Sequence, residues 1–510
     1  MTLLIRNVRI IGGEEKFPDG VDVFVSGDRI SAIGNFPNKG ADEIINGNGA
    51  YLAPGFIDVN TDSDHYLSLF DHPDQEDFLR QGVTTIIGGM CGSSLAPLIY
   101  GSLESVQKWG DIDKVNIDWA GIGEFLSLLE KKPLAINFAT LVGHSTVRRA
   151  ILGENIRDMT KNELQVFGET LRRGLSEGAF GMSTGLGYVH GHGTPYSELK
   201  FLSEIVKASG GVYATHLRNG GEGLGASIDE TIKLSRETGV KVLINHLLPI
   251  FGFEEEYKQA ISEIENLPEE SGFHFDIYPS DTSVFTLYTF LPDWVKTGGR
   301  EVMLEKINDK WTQPRIVKDF PDLNPENFTL AQAPGKEFLI GRTLKELCSI
   351  YNTQDYKETL LHLMVVTELR GLVFYKNINY DLVKVAVASP RALIASNAAS
   401  YPYSGKMLKP ERAVSTFTKF LTMSVRDKIM PLETAIKKIT ADAARKFGIR
   451  GRGAVKEGNF ADMVVFSVDE KAEFVDQCVS VKAVVVNGKV ALRGGVRTKE
   501  LSGSPLKLKT

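Results

Sequence analysis

Along the first fifty residues, short runs of apolar and β-branched positions alternate with breakers. Leu3-Leu4-Ile5, Val8-Arg9-Ile10-Ile11, Val21-Asp22-Val23-Phe24-Val25 and Arg29-Ile30-Ser31-Ala32-Ile33 are separated by turns such as Ser26-Gly27-Asp28. Segments of this kind read as strands joined by tight turns. The same texture returns near the other end, in Asp462-Met463-Val464-Val465-Phe466 and Val481-Lys482-Ala483-Val484-Val485-Val486. Asn487-Gly488 follows, a strong two-residue hairpin signal. Two strand-rich ends around a long middle predict one small β-sandwich domain built from both termini, residues 1–53 and 450–510.

The middle changes period. Ala53-Pro54-Gly55-Phe56-Ile57-Asp58-Val59 is an apolar strand, a helical stretch covers Asp77 to Gln81, and Gly82-Val83-Thr84-Thr85-Ile86-Ile87-Gly88-Gly89 is the next strand. Further strands are expected at Ala135-Ile136-Asn137-Phe138, Phe180-Gly181-Met182-Ser183, Val212-Tyr213-Ala214-Thr215-His216, Val242-Leu243-Ile244-Asn245-His246 and Phe273-His274-Phe275-Asp276-Ile277-Tyr278. Amphipathic stretches, among them 161–177 and 228–238, lie between some of them. Near-continuous apolar strands repeated with helices imply a parallel α/β sheet, and this many imply closure into a (β/α)8-type barrel over residues 54–449. Between about 287 and 344 the alternation lapses into polar, Pro-containing sequence, which reads as an insertion or lid.

Composition narrows the partners. The 510 residues carry 58 Lys+Arg against 64 Asp+Glu, a net charge of −6, which offers no basic surface for nucleic acid or anionic lipid. Three cysteines, Cys91, Cys348 and Cys478, are too few and too far apart for a disulfide scaffold. No apolar run approaches the roughly 20 residues that span a bilayer, and Met1-Thr-Leu-Leu-Ile-Arg-Asn lacks the charged start and apolar stretch of a secretory signal. The expectation is a cytoplasmic protein with a small-molecule partner, no nucleic acid and no membrane; oligomeric state is left open.

Barrel sites form where strands end. Cys91 follows the strand ending at Gly89, His216 ends Ala214-Thr215-His216, His246 ends Leu243-Ile244-Asn245-His246, and Asn397 ends Ala392-Leu393-Ile394-Ala395-Ser396-Asn397. A thiolate and two imidazoles converging on one mouth make a three-ligand zinc set with a fourth position for water. Taken singly, each also fits a plain buried side chain; three together favour the metal.

These residues sit within phrases that resemble the amidohydrolase superfamily and, within it, the N-acyl-D-amino-acid deacylases (D-aminoacylases). The phrases are Pro54-Gly55-Phe56-Ile57-Asp58-Val59, Cys91-Gly92-Ser93-Ser94-Leu95-Ala96-Pro97-Leu98, Gly181-Met182-Ser183-Thr184-Gly185-Leu186-Gly187-Tyr188 and Gly458-Asn459-Phe460-Ala461-Asp462-Met463-Val464-Val465-Phe466. The resemblance implies one Zn2+ per chain on Cys91, His216 and His246. It also implies a degraded second metal site, because the family's His-x-His positions hold Asn60 and Asp62, and its late general-base Asp is Asn397. An amide cannot take a proton as a carboxylate does. Asp62 and Asp64, which follow the first barrel strand into the same mouth, are the candidate substitutes, with His65 and His190-Gly191-His192 as weaker options. By the same resemblance Tyr188, Ser283 and Arg412 would bind substrate. Arg412 is displaced by one residue from the family's carboxylate-binding Arg, Lys409 stands where the family has His, and His144 falls at a packing position. Arg412 would otherwise be an ordinary surface ion pair.

The implied function is zinc-dependent hydrolysis of a linear amide, an N-acyl-D-amino acid or related N-acyl compound, with turnover reduced by Asn397. Two alternatives stand beside it: an impaired amidohydrolase fold surviving as a binding or regulatory protein, and a cyclic amide hydrolase or other metal-dependent reaction on the same fold.

Overall fold

The computed structural model describes all residues except 14, 100–115, 154, 298, 402–405, 474–476 and 510. Both ends of the chain meet in one nine-stranded sheet. Its order runs from Val496–Arg497 through Lys489–Arg493, Val479–Val486, Met463–Val468, Tyr51–Pro54, Thr2–Ile10 and Val21–Ser26 to Arg29–Gly34, with Glu43–Asn46 on the other flank of Thr2–Ile10. The sheet folds over on itself. Leu3, Ile5, Val23 and Val25 from the N-terminal half pack against Met463, Val465, Val485 and Val490 from the C-terminal half, which is the sandwich core. The two N-terminal apolar runs are one strand, Thr2–Ile10, with a bulge between Ile5 and Val8 where Asn7 has φ 51°. The hairpin at Asn487-Gly488 joins Val479–Val486 to Lys489–Arg493 as expected.

The apolar run 53–59 is not one strand. Tyr51–Pro54 pairs with Met463–Val468 in the sandwich, whereas Phe56–Asp58 pairs with Val83–Gly88 in the barrel. Gly55 is the crossing point, and a Cβ there would lie 2.1 Å from the Thr84 hydroxyl oxygen, so only glycine lets the two sheets approach this closely. Periodicity sees the apolar run but not the change of sheet.

Among the described residues the barrel strands form two parallel sheets. One is Phe56–Asp58, Val83–Gly88, Asn137–Thr140; the other runs Val142–Gly143, Gly181–Gly185, Val212–His216, Lys241–Ile244, Phe273–Ile277, Ala392–Ile394. Asn137–Thr140 and Val142–Gly143 are one strand interrupted at Leu141, giving eight staves. The ring closes where the Asn397 N–H donates to the Asn60 carbonyl (2.9 Å) and the Asp62 N–H to the Ala398 carbonyl (2.8 Å). Helix Lys161–Ser176 shows why helices alternate with these strands. Thr160 and Glu163 cap it reciprocally, and Phe167, Leu171 and Leu175 recur on its buried face. At the closed end, the C-terminal tail lies along Asn137–Thr140, with Leu506 N–H on the Phe138 carbonyl (2.7 Å) and Leu506 and Leu508 packed on the barrel's inner cluster.

The excursion from the barrel is wider than the 287–344 expected. Thr282–Thr286, Leu372–Lys376 and Phe328–Gln332 form their own antiparallel sheet, covered by Leu344–Tyr351 and Tyr356–Val366. A separate cluster that includes Leu287, Phe328, Leu330, Leu347, Leu360 and Met364 fills it. The flanking strands are apolar enough to pass for barrel sequence, so the breakdown of pattern marked only the interior. No helix among the described residues is long and apolar enough to cross a membrane.

Candidate metal and substrate site

Three strand ends bring Cys91, His216 and His246 together at the barrel mouth, with their ligand atoms all within 4.8 Å of one another. His216 Nδ1 lies 2.8 Å from His246 Nε2, and Cys91 Sγ lies 3.4 Å from the same nitrogen. Burial carries His246 down to about 4, which keeps the imidazole neutral and its lone pair available. A thiol and two imidazoles are a nitrogen and sulfur donor set suited to zinc. Gly187 makes room for it, since a Cβ there would sit 2.7 Å from His216 Nε2. The Tyr188 ring tilts over the His216 ring at 4.7 Å between centroids.

Backbone conformation is a feature the sequence does not announce. Cys91, His246 and Asn397 all have positive φ, at 51°, 34° and 46°. Left-handed backbone costs a non-glycine residue of order 1–3 kcal/mol and needs surrounding structure to enforce it. Buried carboxylates supply that enforcement. Asp64 accepts the Gly89 N–H (2.6 Å) below the cysteine loop, and Ser183 Oγ bridges the Gly89 carbonyl and the Gly92 N–H above it. Asp276 accepts the N–H of His246 (2.7 Å). Asp58 accepts the Ser396 N–H (3.1 and 3.2 Å), one residue before Asn397. Burial pushes Asp58 up to about 8 and Asp276 up to about 6, against the hydrogen bonds they accept. Sequence reading assigned no role to Asp58 or Asp276; a lone Asp in a strand does not reveal whether it faces a pocket or a neighbour's backbone.

The altered half of the mouth is built differently. Asn60 is fully buried, and its Nδ2 donates to both oxygens of Asp276 (3.3 and 3.1 Å). Asn397 presents an amide whose Oδ1 is buried without a hydrogen-bond partner. Asp62 and Asp64, paired as base candidates, separate clearly. The Asp64 side chain is sealed at 1% exposure with only its Oδ2 bonded, to the Gly89 N–H, whereas that of Asp62 retains 15% and senses His246 and Arg412. Burial alone would raise Asp62, but His65 at 3.2 Å, with Arg412 and His246 behind it, holds the carboxyl below its usual value. Burial opposes a charge on His65, yet Asp64 and Asp62 outweigh it and push the imidazole up to about 9, with Nε2 donating to the Ser93 carbonyl at 3.0 Å.

Arg412 is buried rather than a surface ion pair, the second residue of helix Glu411–Arg426. Its guanidinium lies 4.7 Å from the centre of the Tyr278 ring. Tyr66 and Tyr401, edge to face at 5.1 Å, stand close enough to feel its charge. Ser283 is buried in Thr282–Thr286, close enough to Tyr278 to pull its phenol down against the burial that raises it. Lys409 pairs with buried Asp77 (2.7 Å), whose carboxylate also accepts the Tyr401 N–H (2.9 Å) and so ties the pocket wall in place. His144 is a core residue on Glu198 (2.7 Å). His190 and His192 lie in the short helix Val189–His192, whose carbonyls accept from Arg148 and Arg218, apart from the three-donor cluster.

Comparison with known proteins places this geometry. The amidohydrolase family pattern matches residues 395–491. The chain is similar to a D-aminoacylase of Alcaligenes xylosoxydans xylosoxydans, 30% identical over 503 residues covering 95% of this chain and 93% of that one. Its fold is similar to a D-aminoacylase structure concerned with the role of a binuclear metal centre (TM-score 0.78, 28% identity, 99% of both chains). It also superposes on the N-acyl-D-glutamate deacylase of Bordetella bronchiseptica, solved with zinc and a phosphonate mimic of the tetrahedral intermediate (TM-score 0.80, 24% identity, 99% of both chains). With its split β-sandwich, its barrel and a relative aligned over nearly its full length, the chain belongs to the D-aminoacylase family of the amidohydrolases.

Proposed function

We propose that the protein hydrolyses the amide bond of N-acyl-D-amino acids with a single firmly held zinc on Cys91, His216 and His246. The observation that carries this reading is the convergence of one sulfur and two nitrogen donors, within 4.8 Å, at three barrel strand ends. Zinc held there supplies Lewis acidity to an amide carbonyl. Arg412, buried among Tyr278, Tyr66 and Tyr401, would receive the substrate carboxylate as a planar fork. Tyr188, over His216, would place its phenol beside the scissile carbonyl. Asp62 is the carboxylate left to accept a proton, because Asn397 has none to offer and Asp64 is sealed at 1% exposure with its Oδ2 on the Gly89 N–H. Asn60 and Asp62 offer the second metal position oxygen rather than imidazole, a poorer set for zinc, which supports one firmly held zinc per chain.

The proposed domains are the sandwich, residues 1–53 with 450–510, and the barrel, 54–449, which carries the insertion built on its own antiparallel sheet. A second reading, a binding protein with little turnover, is favoured by one observation, the uncharged Asn397 at the ring closure. Metal analysis paired with a screen of N-acyl-D- and N-acyl-L-amino acids decides between them. One zinc per chain with D-selective hydrolysis supports the enzyme. Zinc with ligand binding but no turnover supports the binding protein, and zinc retained after Cys91→Ala sinks the three-donor site.

A further inference from the structure

The His246 ligand position is held by a buried three-way knot. Asp276, at 0% exposure, is joined by side chains from two other strand ends. Its Oδ1 accepts the His246 N–H at 2.7 Å, and its Oδ2 accepts Asn245 Nδ2 at 3.0 Å. Asn60 Nδ2 reaches both oxygens from the first barrel strand, on the other side of Asp276. The Asp276 carbonyl also accepts the Leu247 N–H (2.9 Å), so residues 246 and 247 are gripped by side chain and main chain of one residue. His246 itself sits at φ 34°, a conformation that an unsupported histidine would leave. Its Nε2 is the atom shared in the two close approaches of the donor set, 2.8 Å to His216 and 3.4 Å to Cys91. A shift of the His246 backbone therefore moves the centre of the donor triangle.

The geometry points to Asp276 as the positioning residue of the metal site, acting through the His246 backbone and itself oriented by Asn60. Most supporting groups around a metal ligand act on the free nitrogen of an imidazole. Here the support falls on the main chain and fixes where the ring is aimed. Asn60 is then more than a relic. Its amide delivers N–H to the carboxylate, and with Asn245 it keeps Asp276 from turning away from His246.

The inference rests on the zinc reading above, and the Cys91→Ala protein tests that reading separately. The experiment measures the zinc dissociation constant of the full chain by chelator competition, the visible spectrum of the cobalt-substituted protein and the thermal midpoint of the metal-free form. In Asp276→Asn an amide N–H would meet the donors of Asn60 and Asn245, and zinc affinity should fall about 10–100-fold, with a shifted cobalt spectrum. Adding Asn60→Asp exchanges donor and acceptor across the pair and should recover at least part of the loss. Should Asp276→Asn alone fail to fold, Asn60→Ser carries the test, because it leaves the carboxylate on His246 and removes one anchor. Weakened zinc with an altered cobalt spectrum in either variant supports the role. Unchanged affinity and spectrum, or a lower metal-free midpoint with zinc binding intact, overturns it. Zinc retained in Cys91→Ala fails the three-donor reading instead.

Discussion

The two halves of the barrel mouth share a backbone and differ in chemistry. On one side Cys91 and His246 turn through positive φ and aim a thiol and an imidazole at His216. On the other, Asn397 turns through the same region, anchored beside Asp58 just as His246 is anchored by Asp276, yet it ends in an amide. The expensive part of the site, strained strand ends held by buried carboxylates, is present on both sides. What differs is the last few atoms of each side chain. A shared scaffold thus does not guarantee shared chemistry, and the Asn397 half has to be judged on its own residues.

Variants can break this comparison, and the largest effect falls on the intact half. Cys91→Ala should release zinc and lower kcat/KM by about 10³-fold or more, since metal polarisation supplies several kcal/mol; elemental analysis and steady-state kinetics read both. Asp62→Ala comes next. If Asp62 takes the proton, kcat should fall about 10²–10⁴-fold while zinc content stays at one per chain, and an unaffected kcat would return the altered half to a purely structural role. Arg412→Lys keeps the charge but loses the fork, so KM should rise about tenfold with a smaller change in kcat. The smallest effect is a gain. Asn397→Asp restores a carboxylate at the ring closure, and kcat should rise a few-fold up to about tenfold, short of the full contribution of a placed base because Asp62 repels it nearby. A loss of activity there would mean that the amide itself is used.

The same division explains what could be read from the chain. Cys91, His216 and His246 were legible because sulfur and imidazole at strand ends have few other uses, and the barrel because its strands are apolar on both faces. Asp276, Asp58 and the work of Asp64 were not, since whether a carboxylate faces solvent, substrate or a neighbouring N–H is settled only when strands distant in sequence close into a ring. Asp64 illustrates the limit: next to Asp62 in pattern, it turns the other way and holds Gly89. Arg412 was placed by its position before its burial among tyrosines was visible. The crossing at Gly55 and the true span of the excursion, 282 to 376, escaped for a related reason, as apolar runs look alike whichever sheet receives them.

The shared sheet of the two termini has a consequence for how the molecule is made. The Arg29 guanidinium donates to the Gly458 carbonyl, 429 positions away, and Tyr51–Pro54 lies between Thr2–Ile10 and Met463–Val468. At roughly 5–20 residues per second on the ribosome, the N-terminal strands wait on the order of tens of seconds for the partners that complete their sheet. During that interval Tyr51–Pro54 offers an open edge to any passing strand. Slowing synthesis of the middle of the chain should therefore cost soluble yield more than slowing its end, a demand on cellular holding factors that is set by topology alone.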